Sequence, residues 1–279
     1  MTEHFDFLAI GGGSGGLAAA RRAAKHGAKA AVIEAARLGG TCVNVGCVPK
    51  KVMWNAANLS WGLHHAADYG FRVAGCTLDW SDLHRRREEY IQRLNGIYDR
   101  NLEREGVTLI EGFARFVDDR TVEVNGRRYS ADHIVIATGG RPKRPQIPGG
   151  ELAIDSDGFF ALDRQPRKVA VVGAGYIAVE LTGVLHHLGS EATLVLRGEK
   201  PLRGFDEMLR DGFMEAAQAD TLHVLSHFLT SRLERAADGT ITLYAEDGRS
   251  VGGYDTVIWA VGREPNTDRL GLENTSVRV

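Results

Sequence analysis

Two cysteines, Cys42 and Cys47, are separated by four residues in the run Gly39-Gly40-Thr41-Cys42-Val43-Asn44-Val45-Gly46-Cys47-Val48-Pro49-Lys50-Lys51. Paired cysteines ligate a metal, form a structural disulfide or exchange a redox one, and a purely structural disulfide is not expected in a cytosolic-looking chain. A structural zinc site needs four ligands, usually as two close pairs, and only one pair exists here. The histidine pairs His64-His65 and His186-His187 are adjacent on helical segments, so their side chains should diverge, and no metal is expected. A redox dithiol is the better reading. On a regular helix this spacing lies near the limit of disulfide reach, so the turn holding the pair must be distorted, and Gly46 would ease the distortion. Thiolates near a helix N-terminus and a cation have lowered pKa, which suits exchange. The third cysteine, Cys76, is alone and reads as a buried small hydrophobe or an idle thiol.

The elements around the pair are those of nucleotide binding. An apolar strand, Phe7 to Ile10, runs into Gly11-Gly12-Gly13-Ser14-Gly15-Gly16, then a helical stretch, then a second strand, Ala30 to Ile33, ending in Glu34. A lone GxGxxG is weak, but strand, turn, helix and acid in this order make the dinucleotide fingerprint. Gly11 permits the tight turn, Gly13 lets the backbone approach a pyrophosphate, and Gly16 lets helix and strand pack closely. The helix N-terminus offers unpaired N–H groups to phosphate, and Glu34 can accept hydrogen bonds from a ribose.

The second half repeats the pattern. Strand Val169 to Val172 leads into Gly173-Ala174-Gly175-Tyr176-Ile177-Ala178, a helix to about Leu188, and a strand Ala192 to Leu196 that ends in Arg197, with Arg203 close behind. Guanidinium groups bind a 2′-phosphate where a carboxylate would repel it, so this site should prefer NADPH to NADH. Each half continues into hairpin signals, Asn125-Gly126 in the first and Asp238-Gly239 and Asp247-Gly248 in the second. Each ends on a strand entering a small-residue turn, Ala137-Thr138-Gly139 and Val261-Gly262-Arg263. The fold class is therefore α/β, with two tandem Rossmann-like dinucleotide-binding domains, each bearing a β-meander. Extra helical sequence runs from about Val48 to Tyr69 and from Trp80 to Glu105. In the latter, Leu83, Tyr90, Ile91, Leu94, Ile97, Tyr98 and Leu102 recur at helical spacing as a buried stripe, and Arg85-Arg86-Arg87 reads as a solvated face. The expected boundaries are 1–146, 147–268 and a short return, 269–279.

Composition excludes other classes. The 279 residues carry a net charge of −2, which leaves no footprint for nucleic acid or an anionic membrane. No apolar stretch approaches a membrane span and the N-terminus has no signal-peptide pattern. Three cysteines fit a reducing compartment, so a cytoplasmic location is expected.

The runs Gly39 to Lys51, Gly173 to Glu180 and Ala137 to Pro142 resemble the flavoprotein disulfide reductases, most closely the branch that reduces glutathione disulfide. The resemblance implies FAD at the first site, contacted by Gly11, Gly13, Ser14, Gly15, Gly16, Glu34, Gly40, Thr41, Cys42, Lys50, Ala137, Thr138 and Gly139. It implies NADPH at the second, contacted by Gly173, Gly175, Tyr176, Ile177, Glu180, Arg197, Arg203, Gly262 and Arg263. Hydride from NADPH would pass through the flavin to Cys47, leaving Cys42 as the interchange thiol. Lys50 resembles the lysine beside the flavin and Glu180 its buried partner; Tyr176 resembles the tyrosine that covers the nicotinamide pocket. Arg21 and Tyr98 resemble residues that meet glutathione. Lys50, where the mercuric and dihydrolipoamide relatives usually have serine, Arg197 and Arg21 favour the glutathione branch; a related NADPH disulfide reductase of thioredoxin, mercuric or trypanothione type, or a non-catalytic nucleotide-binding fragment, remain alternatives. The family is a homodimer whose C-terminal interface domain supplies a His-Glu pair. On this sequence that domain is expected to be absent, the chain to be C-terminally truncated, and turnover by the chain alone to be poor.

Overall fold

The computed structural model describes residues 2–278. In chain order the elements are β1 (Glu3–Ile10), α1 (Ser14–Lys25), β2 (Ala30–Glu34), α2 (Gly40–Asn44), α3 (Cys47–His64), α4 (Trp80–Arg104), β3 (Thr108–Glu111), β4 (Arg115–Asp118), β5 (Thr121–Val124), β6 (Arg127–Ile136) and β7 (Gly140–Pro142). They continue as β8 (Ile154–Asp155), α5 (Ser156–Phe160), β9 (Lys168–Val172), α6 (Tyr176–His187), β10 (Glu191–Val195), α7 (Glu207–Ala219), β11 (His223–Leu225), β12 (Thr230–Arg235), β13 (Ile241–Ala245), β14 (Ser250–Tyr254), β15 (Thr256–Trp259) and β16 (Arg263–Pro265). Among the described residues no helix is long and apolar enough to cross a membrane.

Two compact units emerge. The first comprises residues 1–49, 87–141 and 264–279; the second comprises 50–86 and 142–263. This differs from a division at residue 146. Residues 50–86 cluster with the second half because Lys50 pairs with Glu180 and the Trp80 indole donates to the Leu162 carbonyl at 3.0 Å. Residues 264–278 cluster with the first because the Phe116 N–H donates to the Leu270 carbonyl and Leu270 is buried among Phe5, Leu8 and Phe116.

In the first unit the sheet order is β3-β2-β1-β6-β5-β4, parallel from β3 to β6 and antiparallel through β5 and β4. Strand β6 is long enough to serve both parts, and Asn125-Gly126 makes the tight β5–β6 turn with φ of 50° and 76°. Alternate residues of β2 enter opposite cores: Ala31 and Ile33 face the side of Phe116 and Leu270, Ala30 and Val32 that of Leu17 and Leu102. A parallel strand covered on both faces reads as a continuous apolar run, as β2 does. The second unit has a fully parallel sheet, β11-β10-β9-β15-β8, and a separate three-stranded meander, β12-β13-β14. Its core gathers Val172, Val195, Phe228, Leu243 and Trp259, and the Trp259 indole donates to the Gly150 carbonyl at 2.9 Å.

Helix α4 corrects the sequence reading in one respect. Ile91 and Leu102 are buried as expected, but Tyr90 is 43% exposed and Arg87 only 1%. Arg87 stands four residues before Ile91 and therefore shares its face, whereas Arg85 and Arg86 point outward to Asp82. Burial pulls the Arg87 guanidinium below its ordinary pKa.

Candidate active site

The two glycine turns are built alike. A side chain at Gly11, whose φ is 113°, would strike the Ala137 carbonyl oxygen, and one at Gly16 would strike the Gly11 carbonyl oxygen. The counterpart Gly173 would strike the Ala260 carbonyl oxygen. The middle glycines differ. A Cβ at Gly175 meets nothing within 4 Å, and one at Gly13 meets only the Gly40 Cα at 3.7 Å. The outer positions thus need glycine for protein packing, while the middle ones leave an open approach to each helix N-terminus. Neither α1 nor α6 has a side-chain cap, so their first N–H groups stay available to an anion.

Glu34 closes β2 beside the first turn. Its carboxylate accepts from the Gly12 N–H at 2.6 Å and the Ala36 N–H at 2.8 Å. Glu34 and Gly11 line a cleft of about 310 Å³ together with Phe113, Thr138, Arg141 and Asn266. Arg141 binds Glu264 and Asp268, each at 2.8 Å, and Asn266 donates to the Thr138 carbonyl at 3.0 Å. Gly139, beside Thr138, accepts from the Asn266 N–H. The sequence reading assigned Thr138 and Gly139 but missed the Arg141–Asn266 frame that holds them.

The dithiol occupies a broken helix. Helix α2 ends at Asn44, Val45 adopts φ −142° and ψ 36°, and α3 begins at Cys47. The expected distortion is thus a break between the cysteines. Gly46 permits it, since a Cβ there would lie 2.8 Å from the Thr41 carbonyl oxygen. Cys42 and Cys47 are thiols. Cys47 and Ser14 are the neighbouring groups that act on the Cys42 thiol. The expected depressed thiol is not what results at Cys42. Burial and the neighbouring Cys47 raise its pKa, outweighing Ser14 and the Cys47 N–H. Gly40 and Thr41 open α2 beside the first glycine turn, with the Gly39 N–H donating to the Gly12 carbonyl at 2.8 Å.

An amide brace fixes this loop. The Asn44 amide donates to the carbonyls of Leu38 at 3.1 Å and Gly40 at 2.9 Å, and lies 3.3 Å from that of Arg37. Asn95, from α4, donates to the Asn44 carbonyl oxygen at 3.0 Å and to Leu38 at 2.8 Å. Asn44 lies inside the cysteine run, but its partners are set by tertiary packing. Only its polarity between two apolar valines could have singled it out.

Arg21 and Tyr98 both flank the α1 face. Arg21 makes a two-pronged ion pair with Glu105, at 2.7 and 2.6 Å, and Tyr98 lies near enough to favour its charge. Arg21 in turn holds the Glu105 carboxyl down to about 2. Glu105 went unremarked in the sequence.

In the second unit, Lys50 binds Glu180 at 2.8 Å. The pair is part-exposed rather than buried, with side chains 24% and 35% accessible, because it opens on a cleft of about 510 Å³ shared with Trp54, Trp61, His187 and Phe213. Tyr176, the first residue of α6, is exposed, and Ile177 follows it. Arg197 and Arg203 lie past the end of β10, exposed, with neither side chain in a hydrogen bond or ion pair among the described residues. Gly262, with φ 138°, and Arg263 close the β15 turn.

Two further expectations are corrected. Cys76 is exposed rather than buried, since its stretch carries no regular structure and few neighbours. The side chains of His186 and His187 do not part company: both Nε2 atoms reach the Asp220 carboxylate, at 3.3 and 3.4 Å. Asp220, the C-cap of α7, lies between the two ring directions and draws them together.

Comparison with known proteins agrees with this geometry. The family model described as "Pyridine nucleotide-disulphide oxidoreductase" matches residues 5–279. The chain is similar to the glutathione reductase of Yarrowia lipolytica, at 46% identity over 99% of the chain, and to that of Schizosaccharomyces pombe, at 49% over 100%. It spans 62% of the length of each of these relatives. Two glycine turns, a dithiol against the first and a family match across nearly every residue have one meaning: the chain belongs to the pyridine nucleotide-disulphide oxidoreductase family.

Proposed function

We propose that the protein reduces glutathione disulfide with electrons from NADPH, through FAD and the Cys42–Cys47 pair. The carrying observation is the pair itself: two free thiols on either side of a helix break, with Cys47 and Ser14 of the first glycine turn both acting on Cys42. Family members use FAD and NADPH. The first turn suits FAD, since the bare Gly13 face, the uncapped α1 N-terminus and Glu34 lie in series. The second suits NADPH, with Gly173, Gly175, Tyr176 and Ile177 at the turn and Arg197 and Arg203 free for a 2′-phosphate. Bound FAD supplies two-electron transfer between nicotinamide and disulfide.

The chain's own residues do the rest. Reduction by two electrons and two protons gives both thiols. Cys42, as thiolate, attacks one sulfur of the substrate disulfide and releases the first glutathione. Cys47 then attacks the Cys42 sulfur, releases the second glutathione and restores the Cys42–Cys47 bond. Lys50, one helical turn past Cys47, sets positive charge on that face of α3, and Glu180 holds it in place. Arg21 and Tyr98 receive the substrate, whose carboxylate must compete with Glu105 for the Arg21 fork. The relatives' names support glutathione as the thiol. We further read the working enzyme as a cytoplasmic homodimer that binds neither nucleic acid nor membrane, in keeping with three cysteines and near-neutral charge.

Anaerobic NADPH titration of the flavin-loaded protein tests the reading. Cys42→Ser is expected to keep a long-wavelength thiolate–flavin band from Cys47, and Cys47→Ser to lose it. The opposite pattern overturns the assignment. Replacing Arg197 and Arg203 together is expected to weaken NADPH at least tenfold more than NADH, about 1.4 kcal/mol of selectivity; equal losses refute the 2′-phosphate role.

A further inference from the structure

The geometry points to a second site, unrelated to the dithiol: we propose that His186, His187 and Asp220 bind a divalent transition-metal ion. Three facts carry this. The two imidazole Nε2 atoms and one carboxylate oxygen lie within 4.8 Å of one another. Each Nε2 stands 3.3 or 3.4 Å from Asp220 Oδ2, longer than a good charge-assisted hydrogen bond. That separation is what two donors show around a tetrahedral ion, since bonds near 2.1 Å set them about 3.4 Å apart. Finally, the cluster sits where two helices end. His186 and His187 fill the last turn of α6, and Asp220 caps the C-terminus of α7. The carbonyl ends of both helices carry partial negative charge and favour a cation.

Two neutral imidazoles and a carboxylate suit zinc and its neighbours rather than magnesium or calcium, which seek all-oxygen shells. The Asp220 carbonyl oxygen, 3.0 Å from His186 Nε2, offers a fourth donor. All three side chains are part-exposed, between 20% and 38%, so an ion can enter from solvent without unfolding. The rings stand edge to face, 5.2 Å between centroids and 62° between planes. His187 also lines the cleft of Lys50 and Glu180, so a bound ion would add positive charge to that wall. Nothing in the redox reading requires this site, and the two stand or fall separately.

The probe is Zn(II) itself, titrated into the whole chain against a chromophoric chelator after its three thiols are alkylated, so that no cysteine competes. One tight equivalent is expected. His187→Gln, His186→Gln and Asp220→Asn should each weaken it at least about tenfold, the least a ligand should matter when outer-shell partners matter that much. His64→Gln should leave it unchanged. Co(II) should give the visible bands of a four-coordinate nitrogen–oxygen site in the parent protein and lose them in His187→Gln. Unchanged affinity in all three ligand variants, an equal loss in His64→Gln, or no equivalent tighter than that of the ligand variants overturns the proposal. Metal-free thermal melting checks that the variants are folded. Should one fail, the other two and the Co(II) spectrum of the parent protein still decide.

Discussion

Replacing Asn44 isolates what holds the dithiol loop. Its amide has two hydrogens for carbonyls at 2.9 to 3.3 Å, and its oxygen accepts from Asn95 at 3.0 Å. Asn44→Ala therefore removes three hydrogen bonds from a side chain that is 9% exposed. At about 1 kcal/mol each, the cost is about 3 kcal/mol. Asn44→Asp keeps the bond from Asn95 but turns a carboxylate toward carbonyl oxygens. At neutral pH it should cost at least as much as alanine. The pKa of such an aspartate is raised on folding, so the stability it contributes is present in acid and lost as pH rises through the folded value. Urea denaturation gives the global cost, and alkylation of Cys42 followed by peptide mass reads the local one. Alkylation should accelerate in both variants, and in Asn44→Asp it should slow again toward acid pH. An Asn44→Ala protein within about 0.5 kcal/mol of the parent, with unchanged Cys42 reactivity, refutes the brace.

Other outcomes follow from the same contacts. Gly16→Ala should cost about 1–3 kcal/mol of overpacking and abolish flavin retention, because its methyl meets the Gly11 carbonyl oxygen; absorbance of the purified variant measures this. The raised Cys42 pKa favours the neutral thiol in the folded state. Its stability contribution is therefore complete below the unfolded thiol value and lost as pH climbs through the folded one. Reduced protein should weaken above about pH 8.5, and Cys42→Ser should remove that part of the slope in denaturation midpoints. Glu105→Gln should free the Arg21 fork and lower the KM for glutathione disulfide several-fold with kcat little changed; a raised KM would show that Glu105 positions Arg21 instead.

Local signals made much of this legible. Both glycine turns, the Asn125-Gly126 hairpin and the helix from Trp80 could be read because each depends on residues within one or two turns of chain. Lys50–Glu180 and Arg21 came from a family pattern, not from spacing. What stayed hidden depends on tertiary neighbours. Asn44 meets Asn95 across 51 residues, and Arg21 meets Glu105 across 84. Asp220 drew together two rings that helical geometry alone would separate. Arg87 looked solvated because its arginine run passes straight into Glu88 and Glu89, yet its place on the Ile91 face decided its burial. The Cys42 pKa went the other way because burial, invisible to spacing, outweighed the donors around the sulfur.

The return of residues 264–278 to the first unit bears on synthesis. Leu270 is 1% exposed in that unit's core, and its carbonyl takes the β4 ladder bond from Phe116. A chain made from its N-terminus leaves the dithiol unit unfinished until residues 264–278 emerge. The β9–β15 unit, drawn from residues 50–86 and 142–263, is by then already made. Closing the first unit means joining segments more than 150 residues apart, the kind of long-range pairing that slows folding. The unit whose first residues are made earliest is therefore closed only after residues 142–263 of the other have been made.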